Sequence, residues 1–173
     1  MTIRQGNDVI LFYRNLKDQY SKDAAIVTYQ TEHSFKMSRN ADATATKDGS
    51  VQSVGGIEYD FSSTALYDRA SETIKMLNSA FEANEIIEVW IVDTLDENEK
   101  GEVSARYLHA KISEYEETGA TDENVELSLT YAVDKKHQSG EVTLTEDQKN
   151  DAQYLFENLK AKTKPAEQKA ATK

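Results

Sequence analysis

The chain has 173 residues, 38% of them hydrophobic, and a formal net charge of −11 at pH 7. That length suits one ordinary domain, and an acidic chain repels nucleic acid rather than binding it. There is no cysteine, which excludes disulfides and thiolate metal sites.

Charge is unevenly distributed along the chain. The last fourteen residues hold five lysines against Glu167, a net charge of +4, which leaves −15 for residues 1–159. We therefore predict a single domain over 1–159 and a basic, disordered tail over 160–173. The N-terminus has no apolar signal segment, and the apolar run Ile86–Val92 is too short to span a bilayer. Assembly in the cytoplasm, away from membranes, is the expectation.

The first half of the chain predicts three strands and a helix. β-branched and aromatic residues indicate strands over Val9–Arg14, Ile26–Met37 and Ile57–Tyr67. Between the second and third strands, residues Asn40–Gly56 predict a long polar loop. A helix is expected over Asp68–Ala83, where Asp68 or Ser71 can cap the first turn. Its apolar stripe consists of Ile74, Leu77 and Phe81.

The second half predicts three further strands and a second helix. Ile86–Leu95 is apolar on both sides, as in a central strand, and a charged loop, Asp93–Gly101, leads to the strand Arg106–Tyr115. Apolar and polar residues alternate strictly over Asn124–Lys135. A capping box beginning at Thr145 starts a helix with an apolar stripe of Ala152, Leu155, Phe156 and Leu159. This order of elements predicts a mainly β fold with helices, of the α+β class.

No group of residues in the sequence indicates catalysis. The histidines His33, His109 and His137 are far apart and lack the spacing of metal ligands. The acidic residues Asp93, Asp96, Glu97 and Glu99 lack the pattern of a calcium loop. Nucleophile elbows and glycine-rich phosphate loops are also missing. We therefore expect no enzymatic activity and no catalytic, cofactor-binding or metal-binding residues.

A family resemblance runs through most of residues 1–160. The stretch Tyr107–Gln148 contains ISEYEETGATDENVELSLTYAV followed by SGEVTLTEDQ, and the first half contains NADA and TKDG before the strand that enters the helix. In this order the segments resemble the major tail protein, or tail tube protein, family of long-tailed siphophages, particularly the lactococcal phage type. Family members commonly have a proline in the turn after the last long strand, where this chain has Lys135–Gln138.

The resemblance implies a fold of two packed antiparallel sheets, a β-sandwich or barrel, flanked by a helix, as in the type VI secretion tube. It implies hexameric rings that stack into a tail tube in the virion, through which DNA passes without specific binding. Implied partners are further copies of the chain and tail assembly proteins: the tape measure, baseplate or initiator, and terminator proteins.

Two groups of residues become candidates within that picture. Glu126, Ser128 and Thr130 form the polar face of the most regular strand and are lumen candidates. Residues of the polar segment are candidates for contact between rings: Asp42, Thr46, Lys47, Asp48 and Gly49. Two alternatives stay open: a baseplate or receptor-binding β-sandwich that holds saccharide, and a metal-dependent hydrolase centred on the acidic loop.

Overall fold

The computed structural model describes residues 3–152, which form nine strands and two helices. In chain order these are β1 Val9–Asn15, β2 Ala25–Ile26, β3 Gln30–Ser38, β4 Ala41–Thr46, β5 Gly49–Val54, β6 Glu58–Leu66, α1 Glu72–Glu82, β7 Ile87–Glu97, β8 Val103–Thr118, β9 Glu126–Val142 and α2 Glu146–Ala152. The mainly β fold with helices is therefore confirmed. All strand pairs are antiparallel.

Two of the predicted segments take a different form. The strand predicted over Ile26–Met37 is divided into β2 and β3 by a turn in which Tyr29 has a φ of +59°. The segment Asn40–Gly56, predicted as a loop, forms the β4–β5 hairpin instead. The β-branched residues Thr44, Thr46 and Val51 suit an exposed strand, so the polarity of the segment alone did not distinguish a strand from a loop.

The third difference lies at Lys135–Gln138, predicted as a turn. β9 continues through this segment as a bulge, because Tyr107 of β8 pairs with Gln138 whereas His109 pairs with Asp134. Three residues of β9 thus lie opposite one residue of β8, and Lys135 takes a φ of +61°. Bulges bend a strand and increase its twist without ending it.

Seven strands form one sheet in the order β2-β1-β7-β8-β9-β6-β3, and this sheet curls over its own core. Tyr13 on β1 and Tyr131 on β9 are separated by two strands in the sheet, yet their hydroxyls lie 3.0 Å apart. Both also bond the buried Ser63 of β6, at 3.2 and 2.7 Å. The two halves of the sheet therefore pack face to face, as in a sandwich.

Helix α1 covers one side of the core. Ser71 caps it by accepting a hydrogen bond from the Ile74 amide at 3.3 Å, so the helix begins about one turn later than Asp68. Ile74, Leu77 and Ala80 are fully buried in the core. Phe81 lies at the edge, 38% exposed, and stacks on Tyr115 of β8.

A second, smaller apolar cluster occupies the opposite face of the sheet, where Phe12, Val92 and Val103 are buried. Ala152 of α2 packs against it. The predicted capping box is present, since Thr145 and Gln148 each bond the other's amide through their side chains. The remaining stripe residues Leu155, Phe156 and Leu159, and the predicted tail 160–173, lie outside the described residues. Among residues 3–152, no helix is long and apolar enough to cross a bilayer.

Candidate functional site

A polar surface covers four adjacent strands, β8, β9, β6 and β3, on the side away from the main core. Glu126, Ser128 and Thr130 of β9 project to this surface, while the alternating residues Leu127, Leu129 and Tyr131 are buried. The period-two pattern of the sequence thus places the three candidate lumen residues on one face. We call the surface the polar face.

Strand register extends the polar face in rows across all four strands. Glu114 of β8 lies opposite Thr130, which lies opposite Ser62 of β6 and then Ser34 of β3. The next row holds Glu116, Ser128, Thr64 and Glu32. On the other side, Lys111 of β8 pairs with Ala132 of β9, and Asp60 of β6 pairs with Lys36 of β3. The face is therefore made mostly of carboxylates and hydroxyls.

The chemistry of the polar face is that of an acceptor surface. Four carboxylates in these positions (Glu32, Asp60, Glu114, Glu116) and Glu126, which lies opposite Thr118 one row further along, outnumber two cations (Lys36, Lys111). Thr130 donates its hydroxyl to Glu114 at 3.4 Å, so part of the donor capacity is used within the face. Such a surface offers a phosphate group few donors and a repulsive charge.

Most of these residues do not emerge from the sequence pattern. The sequence pattern indicates only that Glu114 and Glu116 lie at the solvent-exposed end of a strand. It does not separate Ser62 and Thr64 from the other polar residues of their strand. The exposed position of Ser62 and Thr64 could have been predicted, because they alternate with Phe61, Ser63 and Ala65 in FSSTAL, which are buried.

The β4–β5 hairpin projects beyond the sheet, and every residue of both strands is exposed. Asp42 pairs with Ser53, and Thr46 with Gly49, so Lys47 and Asp48 form the two-residue tip. Gly49 has a φ of +140°, a conformation that L side chains rarely adopt. The structure thus brings the five candidate inter-ring residues into one hairpin.

The base of the hairpin is fixed to the body. Arg39 donates to the Gly55 carbonyl at 2.9 Å, and the Asn40 side chain donates to Glu58 at 2.8 Å. The Gly55 amide also donates to the Asn40 carbonyl at 2.8 Å. A two-stranded hairpin without a core is marginally stable alone, so contact with another surface would stabilise it.

Two strand edges that flank the polar face are unpaired among residues 3–152. β3 pairs with β6 on one side only. β7 pairs with β8 only as far as Ala110, so Lys111–Thr118 are paired with β9 but have a free opposite edge. Free edges present backbone donors and acceptors to another chain.

A buried charge network, which the sequence did not reveal, lies on the opposite half of the sheet. Glu88 is 3% exposed and accepts hydrogen bonds from Arg14 Nε and the Tyr107 hydroxyl, each at 2.6 Å. His109 lies 2.6 Å from the same hydroxyl. Burial and the neighbouring Glu88 carboxylate raise the pKa of Tyr107. Each charged group has a partner, which is the condition for retaining charge in an interior.

The other residues considered in the sequence are dispersed. Asp93 forms a salt bridge with Arg4 at 2.7 Å, and β7 extends through Glu97 before a tight turn that ends at Gly101. His33 lies on β3 and His137 in the β9 bulge. Within residues 3–152, no three potential ligand side chains are grouped closely enough to hold a metal ion.

Comparison with known proteins gives one family and one fold. The family model described as phage tail tube protein matches residues 3–139. A search of curated proteins finds no significant match. Among solved structures, the SPP1 tail tube is similar with a TM-score of 0.72 at 16% identity, over 87% of this chain and 85% of that chain.

Two further structures share the fold. The tail of an empty gene transfer agent particle, refined with C6 symmetry, has a TM-score of 0.62 at 11% identity, over 79% of this chain and 98% of that chain. A chain in the baseplate of the anti-feeding prophage has a TM-score of 0.58 at 9% identity, over 83% of this chain and 99% of that chain.

Proposed function

The chain belongs to the phage tail tube protein family, and from this premise we propose that it assembles into stacked hexameric rings whose lumen is lined by the polar face. The observation that carries the proposal is the four-stranded polar face with a free edge on each side. Self-association is then the biochemical activity of the protein, and no catalysis is involved.

Strand directions support closure of a ring through these edges. β8, β9, β6 and β3 alternate in direction, so β3 is antiparallel to β8 of its own subunit. In a ring with rotational symmetry about an axis along the strands, the neighbour's β8 has the same direction as the subunit's own. The junction between copies is therefore antiparallel, and the sheet continues as a closed barrel that leaves no free edge.

Composition supports a DNA passage as the role of the lumen. Six copies would place Glu126, Ser128 and Thr130 on the inner wall together with Glu114 and Glu116 of β8. A wall of carboxylates and hydroxyls repels phosphates, so DNA can slide without a binding site. We propose that DNA passes through this lumen, and the charge of the domain then serves passage as well as solubility.

Stacking of rings is assigned to the β4–β5 hairpin. Its tip, Lys47 and Asp48, lies beyond the body, and its exposed strands have no core of their own. Contact with the next ring would bury this surface and stabilise the hairpin. We propose that residues 1–159 form the assembling domain, located in the virion tail after assembly in the host cytoplasm, with tape measure, baseplate or initiator, and terminator proteins as partners.

Electron microscopy of the purified full-length protein tests the proposal. Rings or tubes with sixfold symmetry are the expected result. A compact monomer at every protein and salt concentration would contradict self-assembly, and a monomer that binds saccharide would favour the receptor-binding alternative. Incubation with EDTA or calcium is expected to leave the melting temperature unchanged, since a ligand that binds only the native state would raise it.

A further inference from the structure

We infer that Lys36 of β3 lies directly opposite Glu114 of the neighbouring copy's β8, so that adjacent subunits are offset by two residues at each junction. This inference rests on the proposed ring, and it specifies the register at which the two free edges meet. It follows from the charges along the edges and from the point at which β7 stops pairing with β8.

Each edge presents a short series of side chains to the polar face. Along β3 these are Glu32, Ser34 and Lys36, all exposed. Along the free part of β8 they are Lys111, Glu114, Glu116 and Thr118. An extra residue between Ile112 and Glu114 keeps Glu114 on the same side as Lys111. Four antiparallel registers overlap these two series at two or more positions. One of them, with Lys36 opposite Glu116, places Glu32 beyond Thr118, where β8 ends, so Glu32 loses its strand partner.

The first register continues the rows of the subunit straight into its neighbour. Lys36 would then lie opposite Lys111, and Glu32 opposite Glu116. Both are pairs of like charge, and like charges directly opposite each other on neighbouring strands are destabilising. This register is therefore disfavoured at two of its three positions.

The second register shifts β3 by two residues toward the start of β8. Glu32 would then lie opposite Glu114, again a pair of like charge. Lys36 would fall beside His109, where the edge of β8 is already occupied by β7 through the pair Glu88 and His109. Both electrostatics and sterics exclude it.

The third register shifts β3 by two residues in the other direction. Lys36 now lies opposite Glu114, Ser34 opposite Glu116, and Glu32 opposite Thr118. One pair has opposite charges, no pair has like charges, and every position lies on the free part of β8. Within residues 3–152, neither Lys36 nor Glu114 forms a salt bridge in the isolated subunit. A stagger of this kind is also what strand tilt in a closed barrel requires.

Disulfide crosslinking in assembled tubes identifies which residues of β3 and β8 lie opposite each other. The chain has no cysteine of its own, so only the introduced cysteines can form crosslinks. Three double variants share one position: Lys36→Cys, Ser34→Cys or Glu32→Cys, each combined with Glu114→Cys. Side chains directly opposite on antiparallel strands are within disulfide distance, whereas those two residues away are not. Mild oxidation should give a ladder of covalent oligomers for Lys36→Cys with Glu114→Cys and only monomer for the other two.

A ladder from either of the other pairs would overturn the proposed register. Tubes without any crosslink would overturn it as well, while leaving the proposed function intact. If the unsubstituted protein forms neither rings nor tubes, the proposed function fails and this register fails with it. Circular dichroism of each variant before oxidation establishes that the subunits are folded.

A charge exchange gives an independent measurement without cysteine. Lys36→Glu and Glu114→Lys should each raise the protein concentration needed for assembly by about fivefold, because each variant places like charges opposite each other at every junction. The double variant should restore assembly to near the original concentration, because the opposite charges are again paired. Lys111→Glu with Glu114→Lys serves as the control, since it keeps the net charge of the double exchange without a matching change on β3. If the double variant needs as high a protein concentration for assembly as its single variants, the proposed ion pair between Lys36 and Glu114 is contradicted.

Discussion

The side chain of Gln30 bonds both main-chain groups of Leu11. Its amide donates to the Leu11 carbonyl at 2.7 Å, and its oxygen accepts from the Leu11 amide at 2.9 Å. Gln30 begins β3, at one end of the seven-stranded sheet, whereas Leu11 lies on β1, next to the other end. The side chain thus takes the place of a strand partner and joins the two ends of the curled sheet.

Removing this side chain should destabilise the subunit. Leu11 is 1% exposed, so Gln30→Ala would leave a buried donor and a buried acceptor without partners. We expect the free energy of unfolding to fall by about 2–3 kcal/mol. Denaturant unfolding measures it, and Gln52→Ala in the exposed hairpin is the control, with a change of less than about 0.5 kcal/mol. Equal stability of the two variants would show that the Gln30 contacts do not contribute.

Deleting Ala43–Ser53 should separate assembly from folding. The deletion removes most of the exposed hairpin and leaves Asp42 next to Val54, which are close already because Ala41 pairs with Val54. No core residue is removed, so the free energy of unfolding should change by no more than about 0.5 kcal/mol. The subunits should remain folded but fail to form tubes. Tubes of normal length in electron micrographs would refute the role of the hairpin in stacking.

Replacing the lumen candidates with lysine should impede the passage of DNA. Phage that carry Glu126→Lys, Ser128→Lys and Thr130→Lys would have a basic inner wall that binds phosphate. We expect DNA ejection to slow by about tenfold or more, and to recover as salt concentration rises. Glu99→Lys, Gln19→Lys and Ser21→Lys form a control with the same total charge at exposed positions elsewhere. Unchanged ejection from phage with intact tails would rule out the lumen assignment.

The His137 environment predicts a loss of stability on mild acidification. Partial burial and the cations Arg106 and Lys136 hold the pKa of His137 below its ordinary value of 6.5. The Tyr59 hydroxyl lies 2.9 Å from Nδ1, a contact that suits the neutral ring. As pH decreases, His137 is protonated in the unfolded chain before it is protonated in the folded subunit. The contribution of neutral His137 to the free energy of unfolding is therefore fully present above pH 6.5 and decreases as pH falls below that value.

Denaturant unfolding at about pH 7.5 and about pH 5.5 measures that dependence, since the two values lie on either side of the ordinary histidine pKa. His137→Gln removes the titrating group, so its stability should fall less between the two pH values than that of the unsubstituted protein. The difference between the two proteins isolates His137 from carboxylates, which titrate in both. Identical pH dependence would show that His137 does not contribute.

Local patterns in the sequence were sufficient to predict strands and helices that pack one face against the core. Alternation over Asn124–Lys135 placed Leu127 and Leu129 inside and Ser128 outside, because successive side chains of a strand must point to opposite faces. The capping box at Thr145 is likewise formed by residues three apart in sequence. Family membership of the chain, predicted from the order of its segments, is confirmed, while the lactococcal type stays a prediction.

Tertiary structure alone decided which strands meet and which edges stay free. The bulge at Lys135–Gln138 depends on β8 continuing to pair on both sides of it, and the β4–β5 hairpin depends on its fixed base. Pairing of Gln30 with Leu11 joins residues 19 apart in sequence, and the polar face joins β3 to β8 through two intervening strands. Such relationships come from register and curvature of the whole sheet, which no short stretch of sequence encodes.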